Sequence, residues 1–154
     1  MSRRPRPTSE QLARYAEGFN ASKTLQLFGV TLDYPDGECC RVTMPVRVDH
    51  LGGLGSDAVN GGILAAIFDL AIGCTGALVD PTRRTATLQL SMNFERPLRG
   101  PLLVARGKLD RVGGRTAFSS AVIEDSQGEP CARAQGVLRL TDLPWEAGDH
   151  PGMN

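Results

Sequence analysis

AVNGGILAAIFDLAIG, Ala58 to Gly73, is an apolar run opened by two glycines and interrupted by one carboxylate, Asp69. Its apolar residues fall on every side of a 3.6-residue helix, a pattern that suits either the centre of a globular protein or a membrane span. Extended to Val79, the run approaches the roughly 20 residues a span needs. Asp69, Gly73, Thr75 and Gly76 break it, however, and neither a second span nor a cationic flank accompanies it. The expectation is therefore a buried central helix, no membrane, and a specific reason for Asp69.

The flanking sequence supplies the material to cover such a helix. Ser9 to Leu27 reads as one amphipathic helix capped by Ser9, with Leu12, Tyr15, Ala16 and Phe19 on one face. Val30–Tyr34 and Glu38–Val46 read as strands joined at Pro35-Asp36-Gly37, a hairpin. Beyond the break at Asp80-Pro81, TATLQLSMNF alternates strictly. Ala86, Leu88, Leu90, Met92 and Phe94 lie on one side, and Thr85, Thr87, Gln89, Ser91 and Asn93 on the other. The second face is polar yet uncharged, which suits an interface or a ligand site better than open water. Leu102–Val112 and Arg115–Glu124 follow, joined by Gly113-Gly114, then a last strand from Pro130 to Thr141. Such long strands fit one curved antiparallel sheet wrapped around the helix, an α+β fold. The expected organisation is a disordered arm over 1–8, one domain over 9–141 and an irregular tail over 142–154.

Composition narrows the function classes. The 154 residues are 41% hydrophobic, and Lys plus Arg equals Asp plus Glu at 17 each, so no basic excess points to nucleic acid. Four cysteines, Cys39, Cys40, Cys74 and Cys131, lack metal-ligand spacing and read as reduced thiols. With no apolar signal-peptide core at the N-terminus, the expected location is cytoplasmic.

A hairpin, a Gly-Gly helix and four further antiparallel strands, in that order, resemble the hotdog fold. Within it, NGGILAAIFDLAIG followed by TATLQLSMNFERPLRG is similar to the acyl-CoA thioesterases of the phenylacetate-degradation (PaaI-like) type, over roughly Val30 to Thr141. The resemblance implies hydrolysis of acyl-CoA to free acid and CoA, without metal or other cofactor, by dimers or dimers of dimers. It places Thr87 at the hydroxyl position that orients the water or the carboxylate. Such enzymes commonly carry His just before the Gly pair, where this chain has Asn60. The usual carbonyl-polarising Asn upstream is replaced by the loop HLGGLGSDAV.

Thioester hydrolysis requires a donor for the oxyanion and a base or nucleophile. Backbone N–H groups at a helix start lack intrahelical partners, and glycine lets a carbonyl approach closely, so Gly61 is the candidate oxyanion donor and Gly62 a substrate contact. Asp69 is the candidate base or nucleophile, since a buried carboxylate costs several kcal/mol unless hydrogen-bonded. Bland roles stay open beside these. The glycines serve tight helix packing, Asp69 pairs with a buried Arg or hydroxyl, Thr87 is an ordinary strand residue, and Asn60 caps the helix or lends its amide to the carbonyl. Gly61 and Asp69 lie eight residues apart, about 12 Å along a helix, too far to share one substrate atom. Two antiparallel helices in a homodimer bring the glycine of one chain to the aspartate of the other.

Arg96, Arg99 and Arg115, with Arg111, stand near strand ends where they could meet CoA phosphates or simply be solvated. GLGSDA fits a dinucleotide-binding form but no parallel βαβ unit follows it. His50 reads as a solvated loop histidine, and no nucleophile elbow is present. A hotdog dehydratase and a non-catalytic acyl-CoA-binding hotdog protein are the alternatives to hydrolysis.

Overall fold

The computed structural model describes residues 5–144. Helix α1 (Ser9–Asn20) is capped by Thr8, not Ser9: Thr8 Oγ1 accepts from the Gln11 N–H at 3.2 Å while Gln11 Oε1 accepts from the Thr8 N–H at 2.9 Å. The single helix expected to Leu27 is two, because Ser22 caps a separate α2 (Lys23–Phe28) and Gly29, at φ 69°, ends it. At the break, the Asn20 side chain bonds both the N–H and the C=O of Leu32, so α1 is clamped to the first strand. The arm's Arg6 pairs with Glu38, and residues 145–154 of the expected tail lie outside the described residues.

Six strands form one antiparallel sheet: β1 (Thr31–Asp33), β2 (Cys39–Pro45), β3 (Arg83–Phe94), β4 (Leu102–Gly113), β5 (Thr116–Glu124) and β6 (Pro130–Pro144), in spatial order β1-β2-β4-β5-β6-β3. This is the hotdog architecture. The hairpin turn before β2 is held by Asp36 Oδ1, which accepts from the Glu38 and Cys39 N–H groups, with Gly37 at φ 71°. The β4–β5 loop is Gly114-Arg115, one residue later than Gly113-Gly114. Gly113 pairs with Thr116, and Gly114 takes φ 63°.

Helix α3 (Gly61–Cys74), continued by a 3-10 turn (Thr75–Leu78), lies on the concave face. Leu64, Ile67, Phe68, Ala71 and Ile72 are buried against β-strand residues such as Val42, Leu103, Ile123 and Leu138. Length and apolarity alone would allow residues 61–78 to cross a membrane, but half of that window is buried within the protein, as in a core helix. Close approach of helix to sheet depends on glycine. A Cβ on Gly107 would stand 2.6 Å from the Ala71 carbonyl oxygen, one on Gly136 2.7 Å from Ile72 Cγ2, and one on Gly76 would collide with Thr85 Cγ2. Two buried hydroxyls in this layer satisfy each other, Thr75 Oγ1 donating to the Ile72 carbonyl and accepting from Ser119 Oγ, both at 2.7 Å.

The strict alternation expected along β3 is broken. A register shift between Thr87 and Gln89 against β6 inserts an extra residue, so the inward face changes phase. Before the bulge, Thr85 and Thr87 face the helix while Ala86 and Leu88 point out. After it, Leu90 and Met92 pack on the core. Because β3 is an edge strand, Leu88 is left 60% exposed and Phe94 54% exposed.

The adjacent cysteines behave as strand alternation demands: Cys40 is buried, its thiol pushed up to about 12 by burial, and Cys39 is half-buried on the other face. All four cysteines are free thiols.

Candidate active site

The N-terminus of α3 is built by the loop before it. His50 is not solvated as expected but only 2% exposed, wedged beneath this loop. Its Nδ1 accepts from the Arg47 N–H at 3.0 Å, its Nε2 stands 3.3 Å from a guanidinium nitrogen of Arg47, and its carbonyl accepts from the Asn60 N–H at 2.8 Å. Burial, then the Arg47 guanidinium, pulls the His50 pKa below its ordinary value, so the ring is held neutral. Leu51 bridges Val59 and Asp57 pairs with Arg99 at 2.7 Å, so the loop is closed at its base while Leu54 stands fully exposed at φ 60°.

Asn60, extended at φ −60° and ψ 136°, caps α3: its Oδ1 accepts from the Gly62 N–H at 2.7 Å. That bond separates the two glycines chemically. The Gly62 N–H is consumed by the cap, whereas the Gly61 N–H makes no hydrogen bond among the described residues and opens outward at the positive end of the helix. The Asn60 amide nitrogen is left for other use.

Gly61 is not demanded by the chain's own packing. A Cβ on Gly61 would meet only the Phe94 ring at 3.8 Å, an ordinary contact, whereas one on Gly62 would press on the Asn60 cap oxygen at 3.0 Å, so Gly62 leaves room for the cap. The packing role left open for Gly61 does not hold within one chain, in contrast to Gly76, Gly107 and Gly136. Phe94 is a site neighbour that the sequence pattern did not single out. Its place at the end of an alternating strand marked it as core, and only the antiparallel course of β3 along α3 brings it beside Gly61.

Asp69 is not in a buried environment. It projects from the side of α3 that the sheet leaves open, a face shared with Gly62, Ala65, Ala66 and Gly73, and it forms no ion pair or hydrogen bond among the described residues. The buried Arg or hydroxyl partner considered for it is therefore absent from the chain's described residues. Thr87 is half-buried near Gly73, while its neighbour Thr85 donates to the Gly73 carbonyl at 3.0 Å. One chain thus displays an open N–H at the start of α3 and an open carboxylate eight residues on, about 12 Å away.

The strand-end arginines are otherwise engaged. Arg96 donates to the Pro130 carbonyl and pairs with Asp125 at 2.9 Å, Arg99 pairs with Asp57, and Arg115 pairs with Asp142. Arg96 and Arg99 stand at the far end of β3 from Arg115, so one chain does not gather the three around one ligand. Arg111 stacks over Phe118, 4.9 Å from the ring centroid. Among the described residues no group of three His, Cys, Asp or Glu side chains is placed to hold a metal ion.

Comparison with known proteins converges on this region. Residues 57–132 match the family model described as Thioesterase superfamily, a span that holds Gly61, Asp69 and Thr87. Among solved structures, the Escherichia coli PaaI protein of the phenylacetic acid degradation operon has a TM-score of 0.78 at 18% identity, covering 90% of this chain and 99% of its own. A thioesterase-superfamily-related protein from Shewanella oneidensis has a TM-score of 0.75 at 21% identity, covering 86% and 96%. A thioesterase from Haemophilus influenzae has a TM-score of 0.73 at 16% identity, covering 92% and 94%. No curated protein matches the chain in sequence. The family match supports acyl-thioester hydrolysis in general terms. The chain is a hotdog-fold protein that carries the thioesterase-superfamily signature through its central helix and is similar in fold to PaaI.

Proposed function

We propose that this protein hydrolyses acyl-CoA thioesters in the cytoplasm as a homodimer, or a dimer of dimers, each site joining Gly61 of one chain to Asp69 of the other. The observation that carries the reading is the open Gly61 N–H, on a glycine that its own chain's packing does not require and beside a cap that has already consumed the Gly62 N–H. The thioester carbonyl accepts from the Gly61 N–H, and the helix dipole stabilises the oxyanion as it forms. Asp69 of the partner takes the proton from the attacking water or attacks directly, with Thr87 orienting it, and CoA leaves as the thiol. The Asn60 amide nitrogen adds a second donor to the carbonyl while its oxygen keeps the cap.

The dimer is supported by what a lone chain leaves uncovered: an edge strand of 12 residues bearing exposed Leu88 and Phe94, beside the open face of α3. Pairing β3 with its copy would cover both and set the two α3 helices side by side. The test is hydrolysis across a panel of short, long and aryl acyl-CoAs by wild type and Asp69→Asn. The expected result is turnover of at least one class, falling by a factor on the order of 100 in a folded, dimeric Asp69→Asn. Binding of acyl-CoA without turnover would instead make the protein a sensor, and near-normal turnover in the variant would remove Asp69 from the mechanism.

A further inference from the structure

Most cations on the outer face of the sheet are matched to acids: Arg41 to Asp33, Arg106 to Glu124, Arg133 to Glu95 and Lys108 to Asp110. Arg84, Arg111 and Arg139 are not, and none of them has an acid partner among the described residues. All three lie toward the same end of that face. Arg139 sits between buried Leu138 and Leu140 and so points outward, opposite both Ala86 of β3 and Thr116 of β5. Arg84 precedes Thr85, whose hydroxyl is turned inward onto Gly73, so it too faces out, diagonal to Arg139 at a Cβ spacing of about 7–8 Å. Arg111 is opposite Phe118, which pairs with Val137 two residues from Arg139. Two strand spacings and two residues put it roughly 12 Å from Arg139. Stacking on Phe118 fixes that guanidinium without neutralising it. Nearby carboxylates are occupied, Asp110 by Ser120 and Lys108 and Asp142 by Arg115.

We propose that Arg84, Arg111 and Arg139 form the binding site for the phosphates at the nucleotide end of a CoA thioester, in place of the ion-paired Arg96, Arg99 and Arg115. The identity of the ligand rests on the acyl-CoA reading above. Three unneutralised guanidinium groups spread over about 12 Å suit a ligand with several separated phosphates better than a single anion. The site is also within reach of the chemistry. Arg84 is three residues from Thr87 on the same strand, about 10 Å, at the N-terminal end of the edge strand. The pantetheine arm of CoA is longer than that, and passes around the strand end, with no need to pass through the sheet.

Calorimetric titration with adenosine 3′,5′-bisphosphate tests the site on the intact protein. Wild type should bind saturably and more weakly as salt rises. The double variant Arg84→Gln/Arg139→Gln should lose at least tenfold in affinity. Arg14→Gln/Lys23→Gln, which removes the same charge from exposed positions on α1 and α2, should stay within twofold of wild type. In kinetics, the double variant should raise KM for an acyl-CoA and spare kcat, with no change for the matching S-acyl-N-acetylcysteamine, which has no phosphates. No binding by wild type, equal binding by the double variant, or equal affinity for inorganic phosphate would overturn the proposal. If wild type hydrolyses no thioester, the functional reading fails while the titration still decides this site.

Discussion

At the residue scale, the glycines divide into two kinds that the sequence spells identically. Gly107 and Gly136 exist because helix and sheet touch there, the former facing the Ala71 carbonyl of α3. Gly61 meets nothing closer than the Phe94 ring. Gly107→Ala should therefore push α3 from the sheet and cost about 1–3 kcal/mol, read as a lower urea midpoint at unchanged slope. Gly61→Ala should leave that midpoint unchanged or raise it, since alanine favours helix by up to about 1 kcal/mol, yet lower thioester turnover by crowding the approach to the N–H. Equal destabilisation by both substitutions would show that Gly61 also serves packing. Asp69 teaches the complementary lesson. Its place in an apolar helix marked it as exceptional and implied the cost of burial, whereas the sheet covers only the opposite side of α3 and leaves Asp69 exposed.

At the scale of elements, alternation and turn chemistry made the order of helices and strands legible, and with it the fold. What stayed hidden depends on contacts between distant segments. The bulge at Thr87–Gln89 is set by how β3 registers on β6, so Thr87 could be placed on a polar face but not turned toward α3. The division of α1 from α2 follows from Asn20 reaching across to Leu32, and the burial of His50 from the folding of its loop under α2 and α3. His50 carries a testable consequence. Because burial and Arg47 lower its folded pKa, the folded state disfavours the charged ring. Stability from this group is full above the ordinary value of 6.5 and is lost as pH falls from there through the lowered folded value. Wild type should lose more stability between pH 7.5 and 5 than His50→Gln, measured by urea unfolding at each pH. Parallel losses would show that the ring titrates alike in both states.

At the scale of the whole molecule, the central claim is that an open N–H and an open carboxylate about 12 Å apart on one helix act together only across two chains. Neither could be assigned a partner from sequence alone, because the partner is a copy of the same sequence. Gly61→Pro removes the N–H at the first helical position, and Asn60 already holds the extended conformation that a following proline requires. Gly61→Pro and Asp69→Asn should each be nearly inactive as homodimers. Unfolded and refolded together, random pairing makes about half the dimers mixed, and each mixed dimer holds one site with an intact Gly61 from one chain and an intact Asp69 from the other. The most direct measurement is the thioesterase activity of that mixture, with mixed dimers counted by mass spectrometry. The shared-site account predicts recovery to roughly a quarter of wild-type activity; mixed dimers that form in the expected proportion and remain as inactive as their parents would contradict it.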